Sequence, residues 1–416
     1  MKILLVHHEI PYPFRSGWDR VTYNLIRMLQ TIHEVTLIAP VFEDTDPAAV
    51  EHMAGVCNHL VVVPVRSKPK GWLAARMTTL RFLLPLIINR IPLNVSLNWY
   101  PQLARAIEEY CRDHKMDVVQ AASIFTYGYL RFARGAACQV LGPMDDGIES
   151  SQSSKQHQLL WHKKLIVTLE WRAYCHYEVN ACRRSDWVLF YSERDLKRAL
   201  TRTPDLTHAR HCPVATENDP LSWEEVLQSF PQQDPNAILF VGGLSPFSNQ
   251  EAVLYFCQAI YPRVLAQMPQ SKFYIVGHNP PAHIQALAKN DHIIVTGGVS
   301  RAELVAFIQK AAVYVGPLRA GTGVKTKIIE AMSYGKAVVA TSKAVAGLFD
   351  LPKDTVMICD DPDDFAEAVV SLLRSPEQRA ALGMRARRSF EQVYSFDVVL
   401  PKLARVYDEI GHSLVH

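Results

Sequence analysis

What this 416-residue chain most plainly lacks is a long apolar run. No window reaches the ~18–20 uninterrupted apolar residues that a membrane-spanning helix needs. The nearest, FLLPLIIN at 82–89, is short and contains Pro85. Cysteine pairing is missing too. The eight cysteines (Cys57, Cys111, Cys138, Cys175, Cys182, Cys212, Cys257 and Cys359) form no CxxC pair and no metal-ligand spacing. No secretory signal opens the chain, so scattered packing thiols in a reducing, cytoplasmic compartment are expected rather than a disulfide scaffold or a zinc module. Nor is there a strong charge of one sign. A net charge of +3 and a pI near 8.3 argue against nucleic acid as a partner. With 49% apolar and 20% charged residues the chain reads as ordered, and its length suits two domains of roughly 200 residues each.

What is present is an alternation of short β-rich runs with helical patterns, the signature of a parallel α/β sheet. In the first half the runs are KILLVHH (2–8), HEVTLIAP (33–40), LVVVPV (60–65), DVVQAA (117–122), AACQVLG (136–142) and SDWVLFYS (185–192). A helix is expected over Val21–Gln30 and a long one over roughly Ser154–Arg184. The stretch Pro213–Asn236 holds Pro213, Pro220, Pro231 and Pro235 and reads as a linker. Alternation then restarts with AILFVGG (237–243), KFYIVGH (272–278), HIIVTGG (292–298), AVYVGPL (312–318) and KAVVATS (336–342). Helical patterns close the chain from about Asp363 to Ile410. The expected organisation is a first domain at 1–215, a linker at 216–236, a second domain at 237–390 and a terminal segment at 391–416. Both domains should be Rossmann-like, α/β units facing across a cleft.

The stretch that carries chemistry is VYVGPLRAGTGVKTKIIEAMSYGKAVVAT, 313–341. An apolar strand runs into Arg319, then Gly321-Thr322-Gly323, then a helix that opens with Lys325, Lys327 and Glu330. Small residues let the backbone approach a bulky anion, and the free N–H groups of a helix start favour phosphate. With three bases at hand the site suits a diphosphate without a metal, and no DxD-type carboxylate pair stands nearby. Two other phosphate loops are excluded. The third glycine of a dinucleotide fingerprint is replaced by Thr326, and a P-loop would need lysine where Thr322 follows Gly321. A tight strand-to-helix turn without function is the plain alternative, and the three bases weigh against it.

At this point the residues resemble the family-four-like retaining glycosyltransferases with the GT-B fold. The phrase PLRAGTGVKTKIIEAMSYGKAVVAT is similar to their nucleotide-sugar signature. HHEIPYPFRSGWDRVTYNLIRML, DDGIESSQSSK with DWVLFYSERD, FVGGLSPFSNQEAVLYF and YSFDVVLPKLARVY extend the likeness over nearly the whole chain. The resemblance implies retaining transfer of a sugar from a nucleoside-diphosphate donor, with no cofactor. It implies an acceptor-binding first domain, a donor-binding second domain and a C-terminal helix that crosses back to the first. Glu330 matches the second glutamate of a Glu-x7-Glu motif and would hold the donor ribose. Lys325, Arg319 and Lys327, with Gly321, Thr322 and Gly323, would hold the diphosphate. Gly298 and Val299 match the loop whose backbone meets the base, Gly243 opens the loop after the first donor-domain strand, and Gly17 matches the glycine near the transferred sugar. The chain departs from the pattern at Thr322, where the first glutamate would stand, at Gly243–Asn249, which contains no arginine or lysine, and at Gln120, where many relatives have histidine.

Asp19 and Asp146 are the candidates for acting on acceptor hydroxyls, beside Lys325 as the candidate cation at the reacting centre. Plain surface or capping roles compete for both aspartates, and a structural role competes for His7 and His8. Residues 1–215 carry 26 bases and 20 acids, a net +6, and residues 216–416 a net −3. The segment Arg66–Arg90 holds no acid, and apolar residues interleave its bases. It reads equally as a surface for an anionic membrane, with a glycan or lipid-linked acceptor, and as a core-facing helix with a solvated side. Other functions on the same plan are a nucleotide-sugar-binding protein with little turnover, a sugar-nucleotide epimerase and a phosphorylase.

Overall fold

A computed structural model of the chain describes residues 1–14, 16–65, 86, 90–143, 148, 161–215 and 222–414. Asp146 and almost all of the acid-free stretch 66–90 lie outside the described residues. By their contacts the residues form two units. The first comprises Met1–Phe14, Trp18–Val214 and Leu400–His416; the second comprises Ala215–Val399 with residues 15–17.

The first unit is built on seven strands: β1 (Lys2–Val6), β2 (Glu34–Val41), β3 (His59–Pro64), β4 (Val118–Ala121), β5 (Cys138–Leu141), β6 (Trp187–Phe190) and β7 (Ala209–His211). They pair in the order β3-β2-β1-β4-β5-β6-β7, all parallel. Central strands such as Ile3, Leu4, Leu5 and Val6 are fully buried, as expected for a sheet covered on both faces. The second unit has six parallel strands: β8 (Asp234–Val241), β9 (Lys272–Val276), β10 (Ile293–Gly297), β11 (Ala311–Gly316), β12 (Ala337–Ala340) and β13 (Met357–Ile358). Their order is β10-β9-β8-β11-β12-β13. Two Rossmann-like parallel sheets are thus present, with β7 and β13 beyond the runs read from sequence.

Two boundaries need correction. The linker expected at 216–236 is, from residue 222 on, part of the second unit. Ser222 and Glu225 form a reciprocal capping box that starts the helix Trp223–Ser229, and Val226 on it is fully buried. Its prolines do not oppose this order. Pro231 sits in a short 3₁₀ turn, Phe230–Gln232, and Pro235 lies at the start of β8, where a missing N–H is tolerated. The second correction concerns the end of the chain. The last helix, Phe396–Ser413, follows a π-helical turn at Phe390–Tyr394, and the change of unit falls inside it, between Val399 and Leu400. Pro401 stands just beyond that change and removes one backbone hydrogen bond from the helix.

Gln120 has a packing explanation. It is fully buried on β4, where its Oε1 accepts from the Tyr407 hydroxyl at 2.6 Å and its Nε2 donates to the Tyr191 hydroxyl at 3.2 Å. The glutamine therefore satisfies two buried phenols at once, one of them on the last helix, in place of water.

Candidate active site

The second sheet reverses its strand order between β8 and β11, and in open α/β sheets ligands bind outside the carboxyl ends of the strands at such a point. The loops that leave these two strands are the Gly242–Pro246 loop and the loop Pro317–Lys325. The first is knitted to its neighbours by backbone bonds: Gly242 N–H donates to the Val276 carbonyl at 2.9 Å, Leu244 N–H to His278 at 2.8 Å, and Gly277 N–H to Gly297 at 3.1 Å. The loops after β8, β9 and β10 thus form one backbone-bonded rim.

On the other side Gly321 and Gly323 take φ values of +99° and +70°, the left-handed region that a side chain resists, and so bend the chain into the helix Thr326–Ser333. Lys325 caps that helix start and folds back, its Nζ donating to the Thr322 carbonyl. Lys327 crosses to the first loop. Its Nζ donates to Asn249 Oδ1 at 2.8 Å and lies 4.6 Å from the Phe240 ring centroid, while Asn249 Nδ2 donates to the Gly243 carbonyl at 2.7 Å. Gly243, Gly321, Thr322, Gly323, Lys325 and Lys327 are thereby brought to one edge. The loop that carries no cation of its own receives one from the helix opposite.

Arg319 points elsewhere. Its Nε donates to Glu251 Oε1 at 2.8 Å, Nη2 bonds the same oxygen, and the guanidinium lies 3.8 Å from the Tyr255 ring centroid. Glu330 is buried, 4% exposed, and Arg301 holds it: Nη1 donates to Glu330 Oε1 at 2.6 Å and Nη2 to the Tyr334 hydroxyl at 2.9 Å. Arg301 is the first residue of the helix Arg301–Lys310, capped by Ser300 and Glu303, and only Ser300 separates it from Gly298 and Val299. The carboxylate expected to grip a ribose and the loop expected to meet a base are therefore joined through one side chain. Among the described residues no group of three His, Cys, Asp or Glu is placed to hold a metal ion.

The described candidates of the first half, His7, Gly17 and Asp19, follow β1 at the carboxyl end of that strand. Gly17 opens the helix Gly17–Leu29, and Asp19 in its first turn is 1% exposed. His7 follows β1, fully buried, with Nδ1 2.7 Å from the Glu9 carbonyl. Burial pushes the His7 and His8 imidazoles below their usual 6.5, while the Asp19 charge pulls His7 back upward. Asp19 and Lys325 fall in different units.

Sequence reasoning missed Arg301, Asn249, Tyr334 and Glu251. Arg301 lies outside the quoted stretches, and the other three lie inside them without a role of their own in the motif. Asn249 and Lys327 are 78 positions apart, and Arg301 and Glu330 are 29 apart. The capping pattern Ser300-x-x-Glu303 was a readable sign that Arg301 starts a helix.

Residues 235–375 match the family described as glycosyl transferases group 1. A 44.6 kDa protein from the cps region of Klebsiella pneumoniae is 22% identical over 378 residues, covering 89% of this chain and 90% of that one. A phosphatidyl-myo-inositol mannosyltransferase of Mycolicibacterium smegmatis is 27% identical over 190 residues, about half of each protein: 45% of this chain and 48% of the other. Sucrose-phosphate synthase of Thermosynechococcus elongatus shares the fold with a TM-score of 0.72 at 17% identity, covering 99% of this chain and 100% of its own. Anabaena HepE, solved with UDP and glucose, gives 0.65 at 15% identity, covering 98% and 99%. The second unit thus carries a match to the group 1 glycosyltransferases, and the two parallel Rossmann-like sheets of the chain are those of the GT-B fold.

Proposed function

We propose that this chain is a glycosyltransferase that moves a sugar from a nucleoside-diphosphate donor to an acceptor hydroxyl with retention of configuration, and that its acceptor is a lipid-linked glycan. The observation that carries the donor half is the convergence of Lys325, Lys327 and two glycine loops on the switch point between β8 and β11. A diphosphate gathers there against lysine ammonium groups and the positive dipole end of the Thr326–Ser333 helix. As the C1–oxygen bond to the diphosphate breaks, negative charge grows on the leaving oxygen, and those same cations stabilise it. A bond from the acceptor oxygen forms on the same face of the sugar, and the acceptor proton leaves with the nucleoside diphosphate. The lysines make this possible without a divalent metal. Loss of activity in EDTA that Mn²⁺ restores would overturn the metal-free part.

Support for a lipid-linked acceptor comes from the net +6 charge of residues 1–215 and from a mannosyltransferase relative named for phosphatidyl-myo-inositol. Attachment to an anionic surface then rests on several bases, each adding about 1 kcal/mol, and is reversible. Among the described residues no helix is long and apolar enough to cross a membrane. Co-sedimentation with vesicles, with and without anionic lipid and at low and high salt, tests this: indifference to lipid charge favours an acceptor free in solution.

The absence of a carboxylate at Thr322 favours one rival, a nucleotide-sugar-binding protein with little turnover. Incubation with a panel of nucleotide sugars and product analysis separates the two. Transfer or slow donor hydrolysis supports the enzyme, whereas saturable binding without either supports the module. An epimerase would instead return an isomerised nucleotide sugar, and a phosphorylase would require inorganic phosphate.

A further inference from the structure

The contacts around Glu330 carry a role for a residue outside every motif. We propose that Arg301 is a positioning residue for donor recognition, which fixes the Glu330 carboxylate for the ribose diol and ties that grip to the loop bearing Gly298 and Val299. The inference rests on the donor reading of Glu330 given above.

A carboxylate only 4% exposed is costly unless it is paired and hydrogen-bonded. Arg301 supplies both from a side chain that is itself 31% exposed, and it does so with two nitrogens on two partners: Nη1 to Glu330 Oε1 at 2.6 Å, Nη2 to the Tyr334 hydroxyl at 2.9 Å. Glu330 and Tyr334 are four residues apart, one turn, at the end of the Thr326–Ser333 helix and its C-cap. The planar guanidinium therefore spans that turn and sets the carboxylate's direction as well as its charge balance. Lysine offers a point charge and cannot reproduce this fork.

The backbone of Arg301 is equally constrained. Ser300 Oγ accepts from Glu303 N–H at 3.3 Å, and Glu303 Oε2 accepts from Ser300 N–H at 2.8 Å, which locks the helix start two residues after Gly298 and Val299. Gly297, just before them, bonds back to Gly277. A displacement of the Gly298–Val299 loop would therefore carry Arg301 with it, and with Arg301 the orientation of Glu330. Recognition of ribose and recognition of base become one event rather than two.

The test is a ratio measured within each variant, which partial unfolding leaves unchanged. UDP and GDP are each compared with their 2′,3′-dideoxy counterparts by calorimetric titration, on the full chain and on Arg301→Ala, Arg301→Lys and Tyr334→Phe. The wild type should bind the tighter ribonucleotide roughly ten- to a hundred-fold better than its dideoxy form, the size of hydrogen bonds to a charged group. In Arg301→Ala that ratio should fall to about threefold or less, with Arg301→Lys and Tyr334→Phe in between, even where Arg301→Ala alone folds too poorly to titrate. If the wild type discriminates and all three variants keep its ratio, Arg301 has a merely structural role and the inference is overturned. If the wild type itself fails to discriminate, the ribose reading of Glu330 is wrong, and the inference falls with it.

Discussion

The two sheets reverse strand order at equivalent places, between β1 and β4 and between β8 and β11, yet their carboxyl edges have opposite chemistry. At the second edge one ammonium group crosses to the neighbouring loop, another folds back on its own, and backbone N–H groups stand at a helix start. At the first edge His7 is buried and His8 half-buried, both held below their ordinary range, an aspartate is buried beside them, and the Trp18 and Phe125 rings lie 5.2 Å apart. One topology thus provides two crevices, and side-chain charge decides what each can hold. The cationic edge suits an anion. The edge with neutral imidazoles suits a ligand of uncharged hydroxyls.

The comparison can be broken most forcefully through the backbone of the second edge. A Cβ on Gly277 would run into the Gly242 carbonyl, which no side chain can relieve. Gly277→Ala should therefore cost about 2–3 kcal/mol in chemical denaturation of the second unit. A loss under about 0.5 kcal/mol would mean that the rim of loops after β8, β9 and β10 is softer than its hydrogen bonds suggest.

Removing charge while leaving the backbone intact comes next. Lys325→Ala should weaken nucleoside-diphosphate binding by about 1.5–3 kcal/mol, with a fold that melts normally. Unchanged affinity would move the anion away from the Gly321–Gly323 loop.

A buried base in the second unit sharpens the contrast with the histidines. Lys336 is fully buried, donates to the Gln309 and Ala311 carbonyls at 2.9 and 3.0 Å, and is pushed down to about 7 by burial, with Arg379 adding to the shift. Its folded value lies below its ordinary 10.5, so between the two the unfolded chain binds more protons and stability gains with rising pH. Buried thiols such as Cys138, pushed up to about 12, oppose this above their ordinary 9.0. The clean window is therefore about pH 7 to 8.5. Across it the wild type should gain about 1–2 kcal/mol relative to Lys336→Met. Parallel pH profiles for the two proteins would assign the slope to another group.

The smallest effect expected is on the first edge. Asp19→Asn should leave nucleotide affinity within about twofold, under ~0.5 kcal/mol, while lowering the rate of transfer. A nucleotide affinity that falls as far as that of Lys325→Ala would erase the division of labour between the edges.

Legibility in the sequence followed the range of the interaction. The β strands that showed as apolar runs, KILLVHH or AVYVGPL, were visible because burial on both faces demands such runs. β7 and β13 were too short to leave a pattern: three residues and two. The helix Trp223–Ser229 was hidden by the prolines around it, although Ser222-x-x-Glu225 marked its start. At the site, Gly321 through Lys327 could be read because phosphate chemistry and turn geometry are local. The direction of Arg319 toward Glu251 and the hold of Arg301 on Glu330 could not, since each pairs residues far apart in the chain. Gln120 looked like a departure from a site and is in fact a packing residue, a distinction that only its partners Tyr191 and Tyr407 reveal.

The split of the first unit has a further consequence during synthesis on the ribosome. The second unit is an almost uninterrupted stretch, Ala215–Val399, whereas the first awaits Leu400–His416. Gln120 cannot meet the Tyr407 hydroxyl until that last helix has emerged, so the first unit begun is the last to be completed. Until then the surface of the nascent first unit that Leu403, Tyr407 and Ile410 will cover is open to chaperones.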